Sequence, residues 1–378
     1  MEAREKHACP RNGNSLTIHR GRSLLYHEIR VTRFDGGCRA GHRKGGRGMT
    51  IPCSALAGVL LVAVTTCFSC AEEIAPDFAQ LRNPVWATAD NLRDPSVLKT
   101  PDGYRLYYSR LAGKAAKSPG TWTVAEAVTK DFVHFAGDHD VSAKGYASPG
   151  DVVSWHGRYL LPYQTYPSTP TQLCFSESAD LRAWSAPKTF LPEARLLPWN
   201  TQQRVIDPTL VVVGDTLHCF FIGSTNVTDG AGKTLRANLL GHAITHDPKL
   251  EHWEILTPDA PILGVSASAP DGVENVAIFR TEKEWVMIYS EGLVNQHLAL
   301  AVSADLRAWQ PQGPLELPRQ KWMARKYGAP FVWRESGQWL MILMGEDAAG
   351  KTTFGLLTSP DGKQWTLLPE QGGSSQER

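Results

Sequence analysis

The chain has 378 residues, and its 39 Lys and Arg side chains nearly cancel its 38 Asp and Glu side chains, for a formal net charge of +1. Nucleic-acid-binding proteins normally carry a large basic excess, so this balance argues against that class. The charge is uneven along the chain. Residues 1–48 hold eleven basic and four acidic side chains and residues 49–71 hold none, which leaves 28 basic and 34 acidic side chains, a net charge of −6, for residues 72–378.

The first predicted element in chain order is a secretory signal at residues 49–71. Its apolar core, Leu56–Val64, is too short for a bilayer span, which needs about 20 apolar residues. The small residues that end at Ala71 are those before which a signal peptidase cleaves. We therefore predict export and cleavage near Ala71. The basic segment 1–48 has no periodicity, and either a disordered leader or a true start at Met49 would explain it.

Two of the seven cysteines, Cys174 and Cys219, lie in the body of the chain. Two cysteines form no disulfide framework and no metal cluster. Both lie in apolar runs, so we predict buried thiols.

The body, residues 72–378, is a fivefold repeat. A polar turn followed by an aromatic residue recurs five times, and the aromatic residues are Phe135, Trp184, Trp253, Trp309 and Trp365. Each unit also contains an apolar run, a turn, an aromatic-rich strand and a third strand, and the aromatic residue is predicted to lie in a fourth. This layout predicts an all-β fold, a five-bladed β-propeller of four-stranded antiparallel blades. The last unit has its own fourth strand, so no N-terminal strand is needed to close the ring.

The first strand of each blade lines the central channel of a propeller, so equivalent positions on these strands converge on one axis. The entry dipeptides of the five units are Asp94-Pro95, Ser148-Pro149, Asp207-Pro208, Glu274-Asn275 and Ala329-Pro330. Three of the five carry a carboxylate. Facing carboxylates raise one another's pKa, and glycosidic bond cleavage uses one protonated and one ionised carboxyl group. The pattern favours glycoside hydrolysis, although an Asp before Pro also caps a strand turn.

Three segments resemble the catalytic blades of five-bladed propeller glycoside hydrolases: 93–109, 204–221 and 273–292. The resemblance is to family 43 and, less closely, to the related families 32, 62 and 117. The resemblance implies a general base on blade one, a pKa-modulating aspartate on blade three and a general acid on blade four. Carried to this sequence, these roles fall on Asp94, Asp207 and Glu274. Segment 148–152 is similar to a blade-two motif of the family, which implies that Asp151 binds a sugar hydroxyl.

Two features depart from the family pattern. Gly-Pro usually follows the family's acid, whereas Asn275 follows Glu274, so Glu291 in the next strand is kept as an alternative acid. The blade-five histidine that often helps to hold an axial ion is absent from segment 326–331. The sequence therefore predicts no required cofactor and argues against an axial calcium ion without excluding it, and it assigns no metal ligand.

The stereochemical outcome can be predicted from fivefold geometry. If the carboxylates lie about 4 Å from the axis, those of blades one and four are about 7–8 Å apart, which leaves room for the water of an inverting mechanism. Those of blades three and four would be about 5 Å apart, close enough for Asp207 to raise the pKa of Glu274. We therefore predict inversion.

Aromatic and polar residues near the channel mouth are predicted to bind the substrate. They are Arg93, Asp151, Trp155, Tyr166, Trp199, Arg204, Asn275, Glu291, Trp322, Arg325 and Tyr327.

The sequence therefore predicts a secreted glycoside hydrolase that acts on plant or algal saccharides, and the resemblance implies arabinofuranosidic or xylosidic linkages. Its partner is an oligosaccharide or polysaccharide, not a nucleic acid and, after signal cleavage, not a membrane. The protein itself is predicted to be a monomer or a simple homo-oligomer. Two alternatives stay open: a non-catalytic carbohydrate-binding propeller, and a glycoside phosphorylase with a phosphate pocket at Arg325 and Lys326.

Overall fold

The computed structural model describes residues 76–112, 121–228 and 232–372. The predicted leader, signal and cleavage site lie outside these residues. The described residues form five antiparallel sheets arranged as a five-bladed propeller, which confirms the predicted all-β fold. Their helical content is three short 3₁₀ turns, Phe78–Gln80, Pro192–Leu196 and Lys321–Met323. None of their helices is long and apolar enough to cross a bilayer.

Each blade is a meander in which consecutive strands pair. Blade one contains β1 Asn91–Thr100, β2 Gly103–Leu111, β3 Trp122–Thr129 and β4 Phe135–Asp140. Blade two contains β5 Tyr146–Ala147, β6 Val153–Trp155, β7 Arg158–Thr165, β8 Leu173–Ser178 and β9 Lys188–Thr189, and its inner strand is split between β5 and β6. Blade three contains β10 Ile206–Val213, β11 Thr216–Thr228, β12 Thr234–Thr245 and β13 Glu254–Ile255. Blade four contains β14 Val273–Arg280, β15 Trp285–Glu291, β16 His297–Ser303 and β17 Gln310–Pro314. Blade five contains β18 Lys326–Glu335, β19 Gln338–Glu346, β20 Thr352–Ser359 and β21 Thr366–Leu367.

The repeated polar turn links the third and fourth strands of every blade. In blade four the Ser303 hydroxyl accepts a hydrogen bond from the backbone N–H of Leu306 (2.9 Å), and Asp305 accepts one from Arg307 (2.9 Å). Each turn contains a residue with positive φ. A Ser or Thr hydroxyl accepts from the N–H of this residue in blades one, two, four and five, and the Asp247 carbonyl does so in blade three. In blade order, the positive-φ residues are Phe132, Leu181, Leu250, Leu306 and Gly362. Of the repeated aromatic residues only Phe135 lies in a fourth strand. The prediction that all five do was wrong, because the Trp residues precede those strands.

A β-bulge marks the start of four of the five inner strands, where pairing with the second strand shifts. The residue at this point has φ between 37° and 53° in every blade: Asp94, Ser148, Asp207, Asn275 and Ala329. All five line the axial cavity together with the residues that follow them. The bulge therefore turns one side chain per blade toward the axis.

The predicted alignment of blade four was wrong by one residue. Asn275, not Glu274, is the bulge residue there, because Glu274 pairs with Ser290 as Arg93 pairs with Ser109 in blade one. No proline follows Asn275 to mark the bulge in the sequence. Two carboxylates rather than three thus occupy equivalent positions, and Glu274 enters the site from the preceding position.

The N-terminal segment completes blade five. Asn83 is fully buried, and its side chain bonds both the N–H (2.7 Å) and the carbonyl (2.9 Å) of Leu356 in β20. Trp86 pairs with Phe354 in the same strand. The two-residue β21 covers only the other end of that edge. Blade five has its own four strands, as predicted, and residues 83–86 add an isolated bridge and side-chain bonds at the edge of β20 that β21 leaves open.

Several aromatic residues that were predicted at the channel mouth lie in the core. Trp199 packs against Gly223 and Gly241, and Trp322 packs in the same way against Gly345 and Gly355. Trp155 (3% exposed) and Tyr327 (4%) are buried in clusters of apolar side chains. A buried ring cannot stack on a sugar, so the assignment of Trp155, Trp199, Trp322 and Tyr327 to substrate binding was wrong.

Cys174 and Cys219 are free and buried, as predicted. Burial raises the pKa of the Cys174 thiol to about 12, so this thiol stays protonated and packs as a small apolar side chain.

Candidate active site

A cleft of about 430 Å³ lies where the inner strands begin, and it brings the carboxyl groups of blades one, three and four together. The residues that line it are Arg93, Asp94, Trp122, Ala147, Ser148, Gln164, Tyr166, Arg204, Ile206, Asp207, Glu274 and Asn275. Seven of these were predicted site residues: Arg93, Asp94, Tyr166, Arg204, Asp207, Glu274 and Asn275.

The Asp94 carboxylate is the best hydrogen-bonded of the three. It accepts bonds from the hydroxyls of Ser109 (2.6 Å) and Ser148 (3.2 Å) and from the Asn275 amide (3.3 Å). Burial raises the pKa of Asp94, while the Ser109 bond and the Arg93 charge oppose that rise. These donors favour the ionised form, which is the form a general base needs.

Glu274 is held by two side-chain amides from blades three and four. Asn238 donates to Oε1 at 2.7 Å, and Gln296 donates to Oε2 at 3.4 Å. Asn238 is fully buried and is fixed in turn by the Ser224 hydroxyl at 2.7 Å. Burial raises the pKa of Glu274, the Asp94 charge adds to the rise, and nearby cations, Arg204 foremost, oppose it.

Asp207 is the most enclosed of the three carboxyls, at 8% exposed. Burial and the charges of Glu274 and Asp94 raise the pKa of Asp207 well above its usual range, and Arg204 only partly opposes them. Three carboxyls that influence one another titrate as a set. The trio therefore keeps a proton at pH values where an isolated carboxyl would have lost it.

The bulge residues are tied from blade to blade by polar residues that the sequence analysis missed. Ser109 accepts a hydrogen bond from the backbone N–H of Ser148 (2.6 Å), and Ser290 accepts one from Ala329 (2.8 Å). Gln164 likewise accepts from the N–H of Asp207. The Tyr-Ser pair that lies near the end of both β2 and β15 was a detectable signal for Ser109 and Ser290. No repeated sequence pair marks the positions of Gln164, Asn238 or Gln296.

One wall of the cleft is aromatic. The Arg93 guanidinium lies 5.3 Å from the centre of the Trp122 ring, and Trp122 meets Tyr166 edge-on with ring centres 5.6 Å apart. Trp122 was not among the predicted substrate-binding residues, because it opens a strand and its sequence resembles ordinary sheet packing. Tyr166 is only partly buried, so it offers a surface to a ligand.

The axial cavity lies next to the cleft and contains Asp151. Burial raises the pKa of Asp151 to about 7. Blade five contributes Ala329, Pro330 and Phe331 to this cavity. These side chains offer no metal ligand, so blade five lacks the histidine that often helps to hold the axial ion in the resembling family.

Two other predicted residues lie apart from the cleft. Glu291 is 6% exposed, faces His297 at 3.1 Å and accepts a hydrogen bond from Ser266 at 2.8 Å. Glu291 is not among the residues that line the cleft, and the alternative acid stays a prediction. Arg325 forms an ion pair with Glu346 at 2.6 Å, and Lys326 lies 3.7 Å from the same carboxylate. Glu346 therefore offsets the positive charge of both cations, and the phosphate pocket and the role of Arg325 in substrate binding stay predictions.

The described residues contain one group of three side chains that could ligate a metal, Asp247, Glu251 and His252. It lies in the polar turn of blade three, away from the cleft. Asp247 already accepts backbone bonds from Lys249 (2.9 Å) and Glu251 (3.0 Å), so turn formation accounts for it.

No protein-family model and no curated protein matches the sequence. Solved structures share its fold. A thermostable family-43 glycoside hydrolase is 14% identical, with a TM-score of 0.58, and the alignment covers 78% of this chain and 99% of that one. An α-L-arabinofuranosidase from Podospora anserina, solved with cellotriose, is 14% identical (TM-score 0.53; 74% and 93% covered). A family-32 β-fructofuranosidase from Bombyx mori is 12% identical (TM-score 0.52; 77% and 67% covered). The predicted likeness to propeller glycoside hydrolases is confirmed at the level of the fold.

Proposed function

We propose that the protein is a glycoside hydrolase. The observation that carries this proposal is the trio of enclosed, mutually coupled carboxyls, Asp94, Asp207 and Glu274, that lines one cleft from three different blades. Enclosing three acidic groups lowers the stability of the fold, so their presence in one cleft indicates a functional site. Glycosidic cleavage requires one ionised carboxylate and one protonated carboxyl group, and a trio of this kind can supply both.

In this mechanism the water that attacks the anomeric carbon lies on the Asp94 side of the cleft. Asp94 accepts a proton from that water while the bond from the anomeric carbon to the leaving oxygen breaks. Asp207 and Glu274 share one proton, and when it is on Glu274 the ionised Asp207 stabilises it there; Glu274 donates this proton to the leaving oxygen. The products are a sugar and an alcohol, and the exchanged protons leave through solvent.

The substrate is a saccharide, and we propose that the reaction inverts the anomeric centre. The support is that Asp94 and Glu274 belong to the non-adjacent blades one and four, as an inverting pair needs about 6.5–9.5 Å between its carboxyls. Proton NMR of the first-formed anomer tests this proposal, and retention of configuration contradicts it. Arabinofuranosides and xylosides are the first linkages to assay, since some proteins with this fold act on arabinofuranosides.

The function is tested by screening the full chain against aryl glycosides and oligosaccharides, followed by Asp94→Asn on each hit. We expect hydrolysis to fall about 10²–10⁴-fold while sugar affinity persists. Asp102→Asn, in the exposed β1–β2 turn, is the matched control. Sugar binding without turnover across the panel would favour the non-catalytic carbohydrate-binding propeller.

We also propose that the protein is exported, with cleavage near Ala71. The support is the apolar run 56–64 followed by small residues. Mass spectrometry of the N-terminus after expression of the full chain in a secreting bacterial host is the test. A mature protein that begins near Glu72 supports export, and an intact Met1 or Met49 N-terminus contradicts it.

A further inference from the structure

A groove adjoins the cleft between blades two and three. It is lined by the blade-two loop 166–171, by residues 202–204 and by Arg236 of β12, and it shares Tyr166 and Arg204 with the cleft. Arg204 and Arg236 are its charged side chains, and none of the residues that line it is acidic. We call this feature the arginine groove.

The arginine groove is a built feature of the fold. Its β11–β12 wall is the longest hairpin among the described residues, with strands of 13 and 12 residues. Arg204 is held through its backbone, because Asn200 accepts from its N–H (3.2 Å) and donates to its carbonyl (2.8 Å). Asn200 is itself 1% exposed. The loop therefore presents Arg204 in a fixed position.

The guanidinium groups at this end of the cleft have unused hydrogen-bonding capacity. The Nε atoms of Arg93 and Arg204 are buried and have no hydrogen-bond partner. Neither these residues nor Arg236 is among the ion pairs of the described part of the chain, whereas Arg105 and Arg110 each pair with a carboxylate. An unpaired buried donor costs free energy, so a site of this kind favours a ligand that supplies acceptors.

The carboxyl trio lines the cleft and not the arginine groove. The groove is lined by Arg204 and Arg236 and by no acidic side chain, so it is locally positive. Residues 72–378 have a net charge of −6, so the local charge of the groove has the opposite sign to the net charge of the body. Local positive charge in an acidic protein favours an anionic ligand.

We propose that the cleft and the arginine groove bind a saccharide that carries an anionic group, a carboxylate or a sulfate ester, on the ring that lies between Arg204 and Arg236. This inference rests on the proposed function for the bond that is cleaved, and it adds the chemical class of the substrate. Guanidinium groups bind both anions through paired charge-assisted hydrogen bonds. Tyr166 lies at the junction of cleft and groove, where it can contact the apolar face of the same ring.

The test is isothermal titration calorimetry on the full chain carrying Asp94→Asn, so that turnover does not disturb binding. The probes are two matched pairs: an aldobiouronic acid with its carboxyl-reduced form, and a monosulfated galactobiose with its desulfated form. We expect the acidic member of one pair to bind at least about 10-fold more tightly than its neutral partner, because charge-assisted bonds contribute about 10–100-fold. Raising the ionic strength should narrow this gap.

Arginine variants test whether the preference for the acidic probe arises in the arginine groove. Added to Asp94→Asn, Arg204→Gln or Arg236→Gln should each lower the affinity for the acidic probe by about 10-fold and leave the neutral probe within about twofold. Arg236 is exposed, so its variant is expected to fold even if Arg204→Gln does not. Arg182→Gln, in the exposed turn of blade two, is the matched control and should change neither affinity.

A preference within either pair supports the proposal and identifies the anion. Equal binding of acidic and neutral members, no binding of any probe, or a preference that survives both arginine variants overturns it. Release of a sugar 1-phosphate by the unmodified chain in phosphate buffer also overturns it, since the arginines would then bind phosphate as a co-substrate. Because binding is measured without turnover, a protein that failed to hydrolyse any glycoside would still reveal the preference.

Discussion

Asp207→Asn separates the effect of one charge from the effect of backbone geometry. Asp207 has a φ of 50°, and Asn is among the residues that tolerate this left-handed conformation. The bond to Gln164 uses the backbone N–H, so it survives the substitution. The variant should therefore keep the bulge and remove only the negative charge beside Glu274.

The size of the effect follows from Coulomb's law. At a charge separation of about 5 Å and an effective dielectric constant of about 20, the interaction is about 3 kcal/mol, which corresponds to roughly two pH units. In the state in which Glu274 holds the shared proton, Asp207 is ionised, and its charge stabilises that proton. Removing that charge lowers the pKa of Glu274, so the acid loses its proton at lower pH. The alkaline limb of kcat/KM, which reports groups of the free enzyme, should move down by up to about two pH units.

The assay is the pH profile of kcat/KM for the unmodified chain and for Asp207→Asn, on the best substrate from the glycoside screen. Asp102→Asn is again the control, with an unchanged profile. An alkaline limb that stays in place or moves to higher pH would refute the modulating role of Asp207. Loss of activity at every pH, confined to substrates with poor leaving groups, would instead make Asp207 the acid.

Two further predictions concern stability. Trp322→Ala should lower the free energy of unfolding by about 3–5 kcal/mol in chemical denaturation. Val294→Ala, at an exposed position (76%), is the control and should have almost no effect. A small loss of stability for Trp322→Ala would contradict the place of Trp322 in the core. Burial lowers the pKa of His218 to about 4 and that of His242 to about 3. Both therefore stay neutral in the fold while the unfolded chain takes up protons below about pH 6.5, so stability should fall by up to about 1.4 kcal/mol per pH unit for each histidine. Urea titrations between pH 7 and 4 check this, and His242→Leu should flatten the dependence.

The propeller could be predicted because its signals are local and repeated. The Ser/Thr-x-Asp turn recurs because a hydroxyl bond holds a residue with positive φ in four of the five blades, as at Leu181 and Leu306. Asp94 and Asp207 could be located for the same reason, since proline follows both bulges. Where the proline is missing, at Asn275, the register was misplaced by one residue.

The aromatic residues and the supporting amides could not be predicted because their roles depend on contacts between distant segments. Trp199 and Trp322 follow loop-like sequence, yet each covers a pair of glycines on two neighbouring strands. Asn238 and Gln296 reach Glu274 from different strands, and no spacing in the chain links them. Packing partners of this kind become visible only in three dimensions.

The central claim is that Glu274 donates the proton in glycosidic cleavage. Its most direct test is kcat/KM of Glu274→Gln on a series of aryl glycosides whose leaving phenols differ in pKa. The account predicts a loss of about 10²–10⁴-fold for poor leaving groups and nearly full activity for dinitrophenolate, which needs no protonation. A loss of equal size across the series, or no loss at all, would contradict it.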